Sequence, residues 1–307
     1  MGELWELTVR EAVGAVASRQ VSSRELVQAA LHRVEQLEPA VRAWARLDAD
    51  RALVEAGRLD ERLSRGERVG PLHGVPVGVK DIVYTQGLET SAGSSILKGF
   101  VPRYDATVVA RLRAAGAVVL GKTVTTEFAF LDPGPTRNPW NLEHTPGGSS
   151  SGSAAAVACG MVPAALGTQT VGSILRPAAY CGVVGLKPTY GRVSRYGIVP
   201  LSWTLDHPGP FARSVEDVAL LLEVLAGPDG LDPACTPQPV ERWTQACRLP
   251  ASGLKVGVPD RFFPERSVPE VREAYGRALA ALESAGAEVR EVRLPQEFEA
   301  GLVAQRT

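Results

Sequence analysis

A layered α/β protein, with helices packed on a sheet of short apolar strands, is predicted by three features of this 307-residue chain. The first sixty residues carry helical periodicity. After Pro71 the texture changes to short apolar runs broken by glycine and proline. Helix-then-strand units then recur without any fixed repeat. A hydrophobic content of 45% with 22% charged residues suits a globular chain with a full core.

Thr8-x-x-Glu11 and Ser22-x-x-Glu25 both spell capping boxes, and Leu26, Ala29, Ala30, Val34 and Leu37 follow at helical spacing. Val75-Pro76-Val77-Gly78-Val79 reads as a strand leading into Lys80-Asp81. Asp105 is expected to cap a helix over Ala106–Ala115 that stops at Gly116, with a buried strand over Ala117–Leu120. A helix over Ser214–Ala226 leads through a proline-rich loop to a strand at Leu254–Val258. A second helix, Val271–Ala285, precedes a strand at Ala287–Leu294. The proline-rich, polar segment 228–252 is read as a surface excursion within one domain spanning 1–307. That domain comprises a helical start (1–65), a core (70–227) and a C-terminal portion (228–307).

Several function classes are not advertised. Net charge is -1 with no block of like charges, so neither a nucleic-acid groove nor an anionic membrane surface is expected as a direct partner. Met1–Glu6 lacks a signal peptide's basic start and apolar core. The longest apolar stretch, Ala154–Leu166, is broken by Gly160 and Pro163 and is too short to span a bilayer. The four cysteines form no CxxC pair and no metal-ligand spacing with the four histidines, so no metal and no cofactor is expected. The expected setting is cytoplasmic with reduced thiols; a Cys235–Cys247 disulfide is the alternative.

Chemistry concentrates in Gly147-Gly148-Ser149-Ser150-Ser151-Gly152-Ser153, which carries little side-chain bulk but several hydroxyls. Glycine permits backbone angles that other residues resist, and crowded hydroxyls and amides at a helix mouth suit a nucleophile or an anion. A flexible linker is the plain alternative, opposed by Trp140 on one side and the apolar stretch from Ala154 on the other. Gly148-Ser149-Ser150-Ser151-Gly152 also spells G-x-S-x-G with Ser150 as nucleophile. The preceding Pro139–Pro146 is not a central strand, however, and only His207 follows, in a turn-like stretch. Gly116–Thr123 spells a P-loop, yet its middle residues Ala-Val-Val-Leu favour a strand. With histidine scarce, a lysine whose amine is kept neutral by burial can activate a serine. Lys80, after its apolar run, is the leading candidate. An ion pair with Asp81 is its plain alternative, and Lys122 and Lys187 are rivals. Gly167-Thr168-Gln169-Thr170-Val171-Gly172-Ser173-Ile174 offers successive N–H groups for an oxyanion, or else an ordinary turn with Ser173 capping a helix.

Taken together, these segments resemble the amidase signature enzymes, serine hydrolases with a Ser-Ser-Lys triad. The likeness is dense from Gly74 to Gly227. It runs through Gly74–Asp81, Gly134-Pro135-Thr136-Arg137-Asn138-Pro139-Trp140-Asn141, Thr145–Ala156 and Cys181–Thr189. It implies an α/β/α fold with a central mixed sheet flanked by helices. It also implies hydrolysis of a carboxylic amide through an acyl-enzyme on Ser173. Ser149 would bridge to the base Lys80 after a cis peptide at Gly148-Ser149. The N–H groups of Thr170, Val171, Gly172 and Ser173 would form the oxyanion hole. The implied partners are a small amide substrate and a second copy of the chain. The sequence departs from the family pattern in three places. Gln169 replaces an acid, Val171 replaces a glycine, and the arginine comes one place late, as Arg176, for a substrate carboxylate or a structural ion pair. The loop between Glu127-Phe128 and Gly134 is short. The chain is also shorter than the family's usual length, so the sheet is expected to be incomplete at its C-terminal side. Two alternatives therefore stand beside the amidase: the amidase subunit of a tRNA-dependent amidotransferase, and a truncated, catalytically impaired remnant.

Overall fold

Both capping boxes close as spelled: Thr8 and Ser22 accept from Glu11 and Glu25 N–H, and each glutamate reaches back to its cap residue's N–H. They start helices α1 (Val9–Ala17) and α2 (Ser23–Val41). The computed structural model describes residues 2–67 and 70–304 and divides into two compact units, Met1–Cys247 and Arg248–Thr307. The boundary falls inside the proline-rich segment 228–252.

In the first unit, strand β1 (Trp44–Leu47) and helix α3 (Ala49–Ser64) are followed by β2 (Pro76–Lys80), helix α4 (Thr107–Ala114) and β3 (Val118–Thr123). Then come α5 (Ser151–Ala158), β4 (Ala164–Gln169), α6 (Leu175–Cys181), β5 (Val184–Gly185), β6 (His207–Ala212), α7 (Val215–Leu225) and α8 (Trp243–Ala246). The six strands order as β1-β3-β2-β4-β6-β5. The three inner strands β3, β2 and β4 are parallel, while β1 and β6 run antiparallel to their neighbours. The sheet is mixed, as the family resemblance implies.

Alternating side chains sort the core into two layers. Val118, Leu120, Ala165 and Phe211 pack with α2, α3 and the Ala154–Val157 stretch of α5. Val77, Val79, Val119, Ala164, Leu166 and Ala212 pack on the opposite face with α1, α4 and α7. Burial of both faces explains why the inner strands read as continuous apolar runs.

Some sequence expectations need correction. Asp105 does not cap α4; Ala106 occupies the cap position. The Asp105 carboxylate instead accepts from Gln86 N–H at 2.7 Å and pairs with Arg113 at 3.2 Å. The P-loop spelling fails because β3 continues through Gly121-Lys122-Thr123, leaving no loop to cradle a phosphate. Strands β1 and β6 are not legible in the sequence. In β6, Pro208 and Pro210 argue against a paired strand, since proline donates nothing to a ladder. Pro210 turns its carbonyl toward Leu186 N–H on the β5 side, and β5 has only two residues, Val184 and Gly185. The missing N–H donors therefore fall beside a short neighbour, and the antiparallel register with β4 survives from Ala164↔Ala212 to Gln169↔His207. Cys235 and Cys247 are free thiols rather than a disulfide.

In the second unit, parallel strands β7 (Lys255–Pro259) and β8 (Glu288–Val292) are joined by α9 (Pro269–Ser284), which begins with proline at its first position. A short helix α10 (Ala300–Ala304) follows. Phe262, Phe263 and Phe298 make edge-to-face contacts there. Among the described residues no helix is long and apolar enough to cross a membrane.

Candidate active site

The Gly/Ser run enters α5, and the helix lies so close to the sheet that only small residues fit. A Cβ on Gly152 would stand 2.2 Å from Ala43 O and 2.4 Å from Val124 N. Gly147 takes φ +75°, which glycine adopts without a steric penalty, and the Gly148–Ser149 peptide is cis. Two hydroxyls tie this helix to β4. Ser150 Oγ donates to Thr168 O at 3.1 Å and accepts from Thr168 N–H at 3.2 Å. Ser153 Oγ donates to Leu166 O at 2.9 Å and lies 2.6 Å from Thr123 Oγ1. Ser150 is thus fully buried and engaged on a strand backbone. His207 is held by Leu205 O at 2.6 Å, not by Ser150, so the G-x-S-x-G elbow is not built.

Lys80 ends β2, and alternation puts it on the side of Gly78, where an added Cβ would meet Thr123, Trp44 and Ala165. Its ammonium position is fully buried. Nζ lies 2.6 Å from Ser149 Oγ and 2.9 Å from Thr168 Oγ1. Burial holds the Lys80 pKa well below its ordinary value; Asp206, which opposes this, acts only at a distance. The alternative ion pair with Asp81 is not formed. Asp81 is taken by the rival Lys122, 3.5 Å away, and by Ser91 N–H and Oγ at 3.1 and 2.6 Å. Lys122 also donates to Thr90 Oγ1 at 2.7 Å and to Val83 O. Burial lowers its pKa to about 8 while Asp81 pulls it back up. Lys187 donates to the carbonyl of its neighbour Pro188 and touches no candidate serine.

The loop after β4 brings the second serine alongside. Ser150 N–H donates to Ser173 O at 3.3 Å, so the Ser149 and Ser173 segments are neighbours. The Ser149 and Ser173 hydroxyls are not hydrogen-bonded to each other among the described residues. Ser173 does not cap α6: Ile174 holds the cap position, with no side-chain cap bond. None of the hydrogen bonds among the described residues is donated by the backbone N–H groups of Thr170, Val171, Gly172 or Ser173. Arg176 forms no ion pair there; its Nε and Nη2 both donate to Gly148 O, at 3.0 and 2.7 Å. The expected structural ion pair is thereby replaced by a clamp onto a backbone carbonyl. Beside it, Thr126, Gly147, Ser151 and Tyr180 line an open cleft.

Two participants escape sequence reasoning. Thr168 lies within the Gly167–Ile174 run, but only the fold shows that it meets Lys80. Asp206 reads from the sequence only as part of a turn. Its carboxylate accepts from Thr170 Oγ1 and from Leu201 and Ser202 N–H, tying the loop after β4 to residues 201–206. The sites lie at the carboxyl ends of parallel strands β2 and β4, where open α/β sheets place their ligands.

Similarity to known proteins extends over most of the chain. A family model described as Amidase matches residues 25–302. A glutamyl-tRNA(Gln) amidotransferase subunit from Roseiflexus sp. (strain RS-1) is 49% identical over 298 residues, covering 95% of this chain and 61% of that protein. The native peptide amidase of Stenotrophomonas maltophilia superposes with a TM-score of 0.91 at 41% identity, over 98% of this chain and 64% of that one. The corresponding glutamyl-tRNA(Gln) amidotransferase subunit from Thermotoga maritima gives a TM-score of 0.81 at 36% identity, over 96% and 63%. The chain thus spans less than two thirds of the length of these relatives.

Proposed function

Because the chain belongs to the amidase family, we propose that it hydrolyses a linear carboxylic amide through an acyl-enzyme on Ser173, with Ser149 as bridge and Lys80 as base. Ser173 Oγ attacks the amide carbon as its proton passes to Ser149 and the Ser149 proton passes to the neutral Lys80 amine. The carbonyl oxygen takes the negative charge and is met by N–H groups of the 170–173 loop. When the C–N bond breaks, the proton returns through Ser149 to the leaving nitrogen, which departs as ammonia or an amine. Water then attacks the ester by the same relay and releases the acid and free Ser173.

The reading rests above all on Lys80. A fully buried amine 2.6 Å from Ser149 Oγ, with no carboxylate among the described residues in hydrogen-bond reach, is poised to be neutral and to accept a proton. A fluorophosphonate probe followed by peptide mass mapping tests it. Ser173 is expected to carry the label, and Ser173→Ala is expected to lose labelling and turnover by several orders of magnitude. An unlabelled Ser173 in the folded wild-type chain would overturn the reading and favour the impaired remnant.

The 49% identity to a subunit of an amidotransferase supports a second reading, in which the same serine chemistry serves a complex with other subunits. The Gln169-Thr170-Val171 variation favours a stand-alone enzyme. Co-purification with a tRNA-binding partner from the native host would reverse that order.

A further inference from the structure

Gln169, the last residue of β4, is buried, and its side-chain amide spans the turn that follows. Its Oε1 accepts from Ile174 and Leu175 N–H, both at 2.9 Å. Its Nε2 donates to Val171 O at 3.0 Å. In a trans peptide the C=O and the following N–H point in opposite directions. Holding Val171 O against Gln169 therefore turns Gly172 N–H away from it. On the next peptide, Gly172 O accepts from Arg176 N–H at 2.8 Å, which turns Ser173 N–H away from α6. Two successive peptide planes are fixed, and their N–H groups are two of the four in this loop without a protein acceptor among the described residues.

We infer that Gln169 is a positioning residue, which sets the direction of the Gly172 N–H for the oxyanion through its bond to Val171 O. This rests on the acyl-enzyme reading above. A primary amide suits the task because it accepts and donates at once. A carboxylate keeps the two acceptor bonds to Ile174 and Leu175, but presents a lone pair to Val171 O where a donor is needed. The effect falls on charge developing at the reacting oxygen, and so on the rate of acylation rather than on ground-state binding.

The test measures the fluorophosphonate labelling rate of Ser173 against pH for wild type, Gln169→Glu and Gln169→Met. Removing an oxyanion donor outright costs about a hundred- to a thousand-fold, so misdirecting one is expected to lower the plateau rate by about ten- to a hundred-fold in both variants. In the uncharged Gln169→Met the pH midpoint, which reports the lysine, is expected to stay where it is in wild type. Rates within twofold of wild type would overturn the inference. So would a loss in Gln169→Met accompanied by a moved midpoint, which would mean that the Lys80 surroundings had been disturbed instead. Gln169→Glu keeps two of the three bonds and guards against a folding loss in Gln169→Met. If Gln169→Glu itself failed to fold, the residue would be holding the fold rather than the loop, and the inference would fail. Wild type unlabelled at Ser173 would instead sink the acyl-enzyme reading on which all this depends.

Discussion

If Lys80 is neutral in the folded protein, stability must depend on pH through that one residue. The unfolded chain holds a proton on Lys80 up to its ordinary pKa near 10.5, whereas the folded chain has already lost it well below that value. Between these limits the unfolded state binds more protons, so unfolding free energy rises with pH by about 1.4 kcal/mol per unit. The structural basis is complete burial at Nζ, with the Ser149 and Thr168 hydroxyls as its hydrogen-bond partners among the described residues. Lys80→Met removes the titration while keeping the volume. It also leaves two hydroxyls short of a partner, a cost of roughly 1–3 kcal/mol that does not vary with pH. Relative to the variant, wild type is therefore expected to gain about 1.4 kcal/mol for each pH unit between the lowered folded value and 10.5, with the gain ending near pH 10.5. At a slope of roughly 2–3 kcal/mol per molar urea this is a midpoint change of about 0.5 M per pH unit. Tryptophan fluorescence is a suitable probe, because Trp5, Trp44, Trp140, Trp203 and Trp243 all lie in the first unit. Parallel pH curves for the two proteins would mean that folded Lys80 keeps its proton and cannot serve as the base.

Other expectations follow from the same packing. Lys122→Met leaves the Asp81 carboxylate buried without its cation, and a loss of about 3–5 kcal/mol in a urea titration at pH 7 is expected. Gly152→Ala drives a methyl toward Ala43 O and Val124 N, and should destabilise by about 1–3 kcal/mol or more and slow Ser173 labelling as α5 shifts. Ser150→Ala loses its two bonds to the Thr168 backbone, costing about 1–2 kcal/mol, yet Ser173 should still take the phosphonate label. Labelling that disappears in Ser150→Ala but persists in Ser173→Ala would exchange the two serines' roles.

Local chemistry that repeats along the chain is readable in advance. The capping boxes at Thr8 and Ser22 depend on residues three apart, and the inner strands announce themselves as apolar runs because both their faces are covered. Strand β6 is hidden because its prolines carry a local message that only the short neighbour β5 makes harmless. Asp105 has the right residue type for a cap, but Arg113 and Gln86 claim its carboxylate. The site divides in the same way. Lys80, Ser149 and Ser173 stand in recognisable segments, while Thr168, Asp206 and the Gln169 clamp acquire meaning only through their partners.

Periodicity, side-chain volume and composition act between near neighbours, and they suffice for the α/β layering, the small-residue segment from Gly147 to Ser153, and the preference for lysine over histidine as the candidate base. Which lysine is paired with a carboxylate and which is not depends instead on how the strands align. Lys80 ends β2 and Lys122 is the last residue but one of the adjacent β3, both fully buried. Asp81 immediately follows Lys80 in the chain but reaches Lys122. A buried charge takes the carboxylate that the strand register brings within reach, and sequence adjacency does not set that distance.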